Sequence, residues 1–171
     1  TGTLTLHKFQ YSNKNGEEFK GIPGTGMEVD PEDLPAGITP LAGVLFRVTR
    51  VADDAVLPNP AALVGDDAYM MEIATNATGL AVFATLPMGR YFVHEVSGPA
   101  NITTPTPDFL IDIPMMNIDK VSWNWDVHVY PKNETKYGTV ELTKTTEGLP
   151  MPEGKSATFT LWKDMAPLGI G

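Results

Sequence analysis

The chain has no cysteine among its 171 residues, which excludes disulfide bonds, and its few basic residues leave it acidic. Lysine and arginine together number 12 against 21 aspartates and glutamates, for a formal net charge of −9. Proteins that bind nucleic acid usually carry a basic patch, so this balance argues against a nucleic-acid partner. The sequence also lacks any apolar run near the roughly 20 residues of a membrane-spanning helix, and we therefore expect no membrane span.

Turn-forming residues and short apolar segments are abundant instead. There are 16 glycines and 15 prolines, and hydrophobic residues make up 42% of the chain, which is enough for a buried core. Segments rich in β-branched and aromatic residues, bounded by glycine, proline or asparagine, are typical of strands. They cover residues 3–8, 44–49, 80–85, 91–95, 109–113 and 123–130. This pattern predicts an all-β protein, a β-sandwich, in which residues 55–72 leave room for one short helix.

Two further features of the sequence do not indicate a ligand. Residues 12–40 form a long polar insertion, which we expect to be either functional or mobile because it exceeds ordinary connection lengths. Its acidic residues lack the alternating spacing of calcium-binding loops, so we interpret them as solvated. The three histidines, His7, His94 and His128, lie on the strand faces opposite the expected core. We expect them to be exposed, with no metal and no cofactor bound.

A weak internal repeat divides the chain. The alternation of apolar residues that ends at Lys8 recurs at residues 140–144, where it ends at Lys144. We therefore expect an N-terminal domain over residues 1–138 and the first strands of a second domain over residues 139–171. The second segment is too short for independent stability, so we expect it to be cut short relative to its natural form. Lys144 would then be the first-strand lysine of the second domain.

The last strand of the first domain ends in a distinctive decapeptide. Residues 123–132 read Trp-Asn-Trp-Asp-Val-His-Val-Tyr-Pro-Lys. Since strand side chains alternate between faces, the apolar set should face the core and the polar set should face outward. The inward set is Trp123, Trp125, Val127 and Val129, and the outward set is Asp126, His128, Tyr130 and Lys132. Pro131 lacks a backbone donor and ends the ladder, so Lys132 is predicted to be presented at the surface.

Three polar residues share the core-facing side of their strands, namely Lys8, Glu95 and Asn133. A buried ammonium without a partner costs several kcal/mol, and burial favours the neutral amine. The three side chains therefore form either a hydrogen-bonded cluster with a Lys8–Glu95 salt bridge or a reactive set. In the reactive case the amine attacks the amide carbon of Asn133 while the carboxylic acid of Glu95 polarises the carbonyl and shuttles the proton. Ammonia leaves and an isopeptide bond remains.

The decapeptide resembles the pilin motif of sortase-assembled pili from Gram-positive bacteria, Trp-x-x-x-Val-x-Val-Tyr-Pro-Lys. It matches at every specified position, which are Trp123, Val127, Val129, Tyr130, Pro131 and Lys132. A second segment is similar to the E-box of CnaB-type pilin domains, Tyr-x-x-x-Glu-Thr-x-Ala-Pro. It keeps Tyr91, Glu95 and Pro99 and departs at Val96 and Gly98, where the family usually has threonine and alanine. The chain thus resembles the N-terminal domain of a major (backbone or shaft) pilin, followed by the start of a CnaB-type domain.

This resemblance implies an immunoglobulin-like, CnaB-type β-sandwich with long loop insertions. It implies that Glu95 catalyses an isopeptide bond between Lys8 and Asn133. It also implies that a pilus-specific sortase joins the C-terminal threonine carbonyl of another pilin to Lys132. The partners would be other pilin subunits in a head-to-tail polymer, the sortase, and host surface ligands reached by the assembled pilus. The protein would be extracellular, in a cell-wall-anchored pilus, and structural rather than enzymatic.

A surface adhesin or carbohydrate-binding β-sandwich is the main alternative, with the insertion at residues 12–40 as its recognition loop. That alternative predicts an exposed aromatic cluster, whereas the alternation predicts that Trp123 and Trp125 face the core. An enzyme is the weakest class, because the one reaction that the residues suggest is a single turnover of the protein on itself. No nucleophile-elbow, phosphate-loop or dinucleotide-binding motif occurs.

Overall fold

The computed structural model describes residues 1–12, 21–22, 24–136, 158–160, 162–163 and 166–167. Contacts between α-carbons group the chain into two units, Thr1–Tyr137 and Gly138–Gly171. The first unit contains β1 (Gly2–His7), β2 (Phe9–Tyr11), β3 (Thr39–Pro40), β4 (Leu45–Val51), β5 (Met70–Ala74), β6 (Leu80–Leu86), β7 (Gly89–Ser97), β8 (Ile102–Thr104), β9 (Phe109–Ile113), β10 (Met115–Met116), β11 (Trp123–Asn124), β12 (Asp126–Val129) and β13 (Lys132–Thr135). The predicted all-β architecture is confirmed.

In the second unit, the described strands are β14 (Trp162–Lys163) and β15 (Ala166–Pro167), which pair antiparallel. Lys144 lies outside the described residues, so its correspondence to Lys8 stays a prediction.

Helical structure in the described part of the chain is limited to two short 3-10 turns, Pro31–Asp33 and Gly65–Asp67. No helix among these residues has the length and hydrophobicity to cross a membrane. Residues 55–72, where the sequence leaves room for a short helix, contain only the second of these turns. Pro58 and Pro60 each remove a backbone donor there, and the chain leaves the turn in extended conformation to enter β5.

The strands of the first unit form three main sheets. Their orders are β12-β1-β6, β3-β2-β13-β8 and β5-β4-β7-β9, and β10 pairs separately with β11. The chain passes from the first sheet to the second at two places, from β1 to β2 across Lys8 and from β12 to β13 across Tyr130 and Pro131. The first and last strands run parallel in both sheets, with β1 beside β12 and β2 beside β13. This pairing brings the two ends of the unit side by side.

The core of the first unit lies between the β12-β1-β6 sheet and the β5-β4-β7-β9 sheet. Inward-facing side chains from both sheets form one cluster. Members that are at most 1% exposed include Leu4, Leu6, Phe46, Val48, Phe83, Tyr91, Val93, Ile113 and Val127. Burying each such side chain contributes about 1.5–3 kcal/mol to the stability of the fold. The two sheets face each other across this cluster, which is the arrangement of the predicted β-sandwich. Polar side chains that share these inward positions are thereby removed from water.

The two tryptophans of the decapeptide are not in this core. Trp123 is 55% exposed and Trp125 is 43% exposed, so their predicted inward orientation is wrong. The strand is interrupted at Trp125: Trp123 pairs with Met116 in the β10–β11 ribbon, and pairing with β1 begins only at Asp126. The alternation of faces holds from Val127 onward, because only that part of the segment belongs to the sandwich.

Candidate functional site

Lys8 occupies the single position between β1 and β2 and is fully buried. Its backbone N–H donates to Gly79 O at 2.7 Å, and its backbone carbonyl accepts from Leu41 N at 2.9 Å. The first bond ends the ladder with β6 and the second begins the ladder with β3, so the chain changes sheets here. The side chain is consequently directed into the enclosed interior rather than along a sheet surface.

The Lys8 ammonium lies among four other side chains. It donates to Glu95 Oε2 at 2.9 Å, to Asn133 Oδ1 at 2.5 Å and to Thr106 Oγ1. Its Nζ also lies 5.4 Å from the centre of the Phe46 ring. The side chains of Lys8 and Glu95 are 0% and 4% exposed, so the ion pair is almost completely removed from solvent.

The Glu95 carboxylate bridges the amine and the amide. Its Oε2 accepts from Lys8 Nζ and from the backbone N–H of Thr106, the latter at 3.2 Å. Its Oε1 accepts from Asn133 Nδ2 at 2.6 Å. The strands explain this position, since Glu95 pairs opposite Phe46 in the sheet that faces β1. One carboxylate therefore contacts a potential nucleophile and a potential leaving group at the same time.

Thr106 is a fourth member of the site that sequence reasoning missed. Its hydroxyl lies 3.0 Å from Asn133 Oδ1 and 3.1 Å from Lys132 O, in addition to its contact with Lys8. It sits between Pro105 and Pro107, which restrict the backbone before β9. A lone threonine in a loop has no periodicity, so the one available signal was this rigid Pro-Thr-Pro context.

Burial lowers the pKa of Lys8 to about 8. The hydrogen bond and charge of Glu95 act in the opposite direction, while the nearby charge of Lys132 lowers the pKa further. Removal from water is the largest effect because the charged form loses its hydration. At this pKa, roughly a tenth of the amine is neutral at pH 7, and the neutral amine is the form that can act as a nucleophile.

Lys132 lies one residue before Asn133 and faces the opposite side of β13. It is half-buried, and this burial lowers the pKa of its amine. The insertion runs close by, since a β-carbon added to Gly21 would lie 4.0 Å from Lys132 Nζ. Lys132 therefore lies on the predicted face of the strand, but the prediction that it is openly exposed is wrong, because the insertion covers part of its side chain.

Residues 24–29 of the insertion bind along the edge and the outward face of the decapeptide. The Val29 N–H donates to the Tyr130 hydroxyl at 2.6 Å. Gly26 O accepts from His128 N at 2.9 Å and from Asn124 Nδ2 at 2.7 Å. At residues 24–29, this segment is thus attached to the motif strand rather than freely solvated.

Two of the histidines also differ from expectation. His7 and His128 are half-buried, and His7 Nε2 lies 2.8 Å from His128 Nδ1. Burial lowers the pKa of His7, the charge of His128 lowers it further, and the charge of Glu28 raises it. His94 is on the other sheet, with its Nδ1 2.7 Å from Asp108 Oδ1 and its side chain 40% exposed. Alternation gave the correct face for each histidine but not what covers that face.

The chain matches known proteins over most of its length. Residues 1–134 match the family model described as Gram-positive pilin subunit D1, N-terminal domain. The chain is 34% identical over 175 residues to fimbrial subunit type 1 of Actinomyces viscosus, which covers 93% of this chain and 30% of that relative. It is 27% identical over 168 residues to fimbrial subunit type 2 of Actinomyces naeslundii, which covers 85% of this chain and 31% of that relative. The chain therefore spans about a third of the length of these curated relatives.

The fold is similar to that of a solved full-length structure, the major pilin SpaD of Corynebacterium diphtheriae. The TM-score is 0.58 at 32% sequence identity, and the similarity covers 78% of this chain and 32% of that one. The stretch that matches the family model includes Lys8, Glu95, Lys132 and Asn133.

Proposed function

This chain belongs to the family of Gram-positive pilin subunits and carries their N-terminal D1 domain, and from that premise we propose that it is a structural subunit of a covalently polymerised pilus on a Gram-positive cell wall. The proposal has two covalent parts, an internal isopeptide bond between Lys8 and Asn133 and an intermolecular bond at Lys132. Its partners are other pilin subunits, a pilus-specific sortase and host surface ligands. The observation that carries it is the contact of Glu95 with both the amine and the amide.

Glu95 lies in a position to move protons between the two reacting groups. Its Oε2 is 2.9 Å from Lys8 Nζ, and its Oε1 is 2.6 Å from Asn133 Nδ2. A carboxyl group held this way can accept the proton that the attacking amine loses and supply a proton to the departing nitrogen. One oxygen is thus placed to accept the proton from the amine, and the other is placed to donate a proton to the amide nitrogen.

In the proposed reaction, the neutral Lys8 Nζ attacks Asn133 Cγ, and the bond from Cγ to Nδ2 breaks. One ammonia molecule leaves, Nζ keeps one hydrogen, and the product is a secondary amide. Thr106 Oγ1, at 3.0 Å from Asn133 Oδ1, is positioned to donate to this oxygen as negative charge develops on it. The enclosed core excludes water, which would otherwise compete with the amine for the amide carbon.

Lys132 is proposed as the acceptor of the intermolecular bond. Sortase chemistry requires a neutral amine to attack an acyl-enzyme. Burial lowers the pKa of Lys132 and so favours its neutral form. Because Lys132 and Asn133 are consecutive on one strand, their side chains point to opposite faces. The internal bond and the intermolecular bond would therefore load the same strand, and tension from the next subunit would pass to the first strand through covalent bonds.

Mapping of natural polymers tests this function. Proteolysis of pili that contain this subunit should yield a branched peptide in which the C-terminal threonine of one subunit is joined to the Lys132 side chain of the next. Lys136, exposed and four residues away, is the internal control and should be recovered unbranched. Branching at other lysines with Lys132 unmodified would contradict the assignment.

A second candidate function is favoured by the exposed tryptophans. Trp123 and Trp125 line a surface cleft together with Met88, Arg90 and Asp112. Arg90 and Asp112 form a bidentate ion pair, with contacts of 2.8 and 3.0 Å. Aromatic rings beside fixed polar groups suit the apolar face and hydroxyls of a sugar ring, so the earlier argument against a carbohydrate-binding module no longer holds.

Binding to a glycan array tests the second candidate. If the cleft binds sugar, Trp125→Ala should reduce the signal of any bound glycan about tenfold or more, because one stacking partner is lost. Val64→Ala is the matched control, since Val64 is 83% exposed and does not line the cleft. This candidate would be wrong if the wild type bound no glycan, or if Trp125→Ala bound every glycan as well as the wild type does.

A further inference from the structure

Two histidines and a glutamate from three separate segments converge beside the decapeptide. His7 ends β1, His128 lies in β12, and Glu28 belongs to the insertion. Their candidate ligand atoms all lie within 4.8 Å of one another. The crosslinking and polymerisation proposed above use none of these three residues.

The two imidazoles already lie close to the spacing that a metal ion requires. His7 Nε2 and His128 Nδ1 are 2.8 Å apart, so one proton is shared between two nitrogen lone pairs. A tetrahedral zinc ion with bonds of about 2.0–2.1 Å holds its nitrogen ligands about 3.3 Å apart. Replacing the shared proton by a metal ion therefore requires the rings to separate by only about half an ångström.

Neighbouring residues lie beside both rings. Asp126 Oδ2 lies 3.6 Å from His128 Nε2, on the side of the ring away from His7. The negative charge of this carboxylate, although it lies beyond hydrogen-bond distance, favours a proton on Nε2, which leaves Nδ1 to coordinate a metal ion. Tyr130 stacks on His7 with ring centroids 4.5 Å apart and planes 18° apart.

We infer that His7, His128 and Glu28 form a binding site for a divalent transition-metal ion, with zinc the best match. Two imidazole nitrogens and one carboxylate oxygen suit zinc, whereas calcium and magnesium prefer oxygen ligands throughout. Glu28 is exposed, so the fourth coordination position opens to solvent and takes a water molecule. The ion binds to β1, to β12 and to the insertion, and thereby fixes residues 24–29 against the decapeptide.

Isothermal titration calorimetry, in which zinc is added to the chelator-treated full chain, tests the site. Zinc chloride should bind with a stoichiometry of one ion per chain. Glu28→Gln should weaken this binding about tenfold or more, because the carboxylate ligand is lost. Glu28 is exposed, so this substitution leaves the fold intact. His94→Gln is the matched control, since His94 also contacts a carboxylate but has no second histidine beside it, and it should bind like the wild type.

Two further readouts report on the same ion. Cobalt(II) in place of zinc should give the intense visible absorption of a four-coordinate site, and Glu28→Gln should lose that absorption. Zinc should also slow amide hydrogen exchange at Val29, whose N–H donates to Tyr130 in the segment that the ion fixes. Zinc binding that is absent from the wild type, equal in Glu28→Gln, or equally weakened by His94→Gln would overturn the site and leave a hydrogen-bonded histidine pair.

Discussion

Replacing Glu95 with glutamine should leave the Lys8 amine and the Asn133 amide unjoined. Glutamine has nearly the same shape as glutamate but cannot accept the proton from the amine or return one to the leaving nitrogen. The intact mass of the wild-type chain should be lower than the mass of its sequence by one ammonia molecule. The mass of Glu95→Gln should equal that of its own sequence, because the ammonia is retained. Intact-mass spectrometry of the folded, purified chains measures both.

The same substitution should have a large effect on stability. A crosslink between positions 125 residues apart restricts the unfolded chain, which by the chain-entropy model for disulfides is worth about 4–5 kcal/mol. For a domain of this size, the melting temperature of the uncrosslinked chain should therefore be lower by about 10–20 °C. Differential scanning calorimetry measures this difference.

Asn133→Ala separates the bond from the ion pair. It removes the acceptor amide but keeps the contact between Lys8 and Glu95, so it should also retain the ammonia and melt early. Thr106→Val keeps the side-chain size but removes the hydroxyl beside Asn133 Oδ1, so it should slow bond formation in newly made protein. A wild-type mass equal to the unmodified sequence, or ammonia loss that persists in Glu95→Gln, would show that this mechanism is wrong.

The pH dependence of stability gives an independent check of the same bond. In the uncrosslinked Asn133→Ala variant, Lys8 remains a buried amine whose pKa of about 8 in the folded chain lies below its ordinary value of 10.5. Between these two values the unfolded chain binds more protons, so unfolding free energy should rise with pH. In a wild-type chain that carries the proposed crosslink, Lys8 would be part of an amide and would not titrate. Other groups titrate in both chains, so the difference between the two denaturation curves isolates Lys8.

Replacing Lys132 with arginine should abolish covalent polymer in cells while leaving the folded domain intact. Arginine keeps the positive charge and much of the length, but its guanidinium stays protonated and cannot attack an acyl-enzyme. Immunoblots of cell-wall extracts should therefore show monomer in place of the high-molecular-mass ladder. Purified sortase with a sorting-signal peptide should likewise fail to label the variant.

Lys136→Arg is the matched control for that experiment. Lys136 is the nearest other lysine in the same strand region and is exposed, so an effect of general charge or accessibility would appear there as well. The control should polymerise like the wild type. A normal ladder from Lys132→Arg would mean that another lysine is the acceptor and that the decapeptide has only a structural role.

Much of the fold follows from local sequence patterns. Alternating apolar residues predicted the strands that carry Leu4, Phe46 and Val93, and the structure buries those side chains. The same alternation predicted that Lys8 and Asn133 face inward, and both are fully buried. Period-two alternation is a property of the strand itself, so the sequence is sufficient to assign a face wherever the strand is continuous.

Other features required the tertiary structure, because they depend on which segments meet. Trp123 and Trp125 are exposed because the strand is interrupted at Trp125 and only the later part joins the sandwich. Thr106 reaches Lys8 from a loop 98 residues away in sequence, and His7 meets His128 across 121 residues. Residues 24–29 likewise cover the decapeptide through hydrogen bonds between segments that are distant in sequence. Local periodicity determines the side to which a residue points, but the folding of distant segments determines what it meets there.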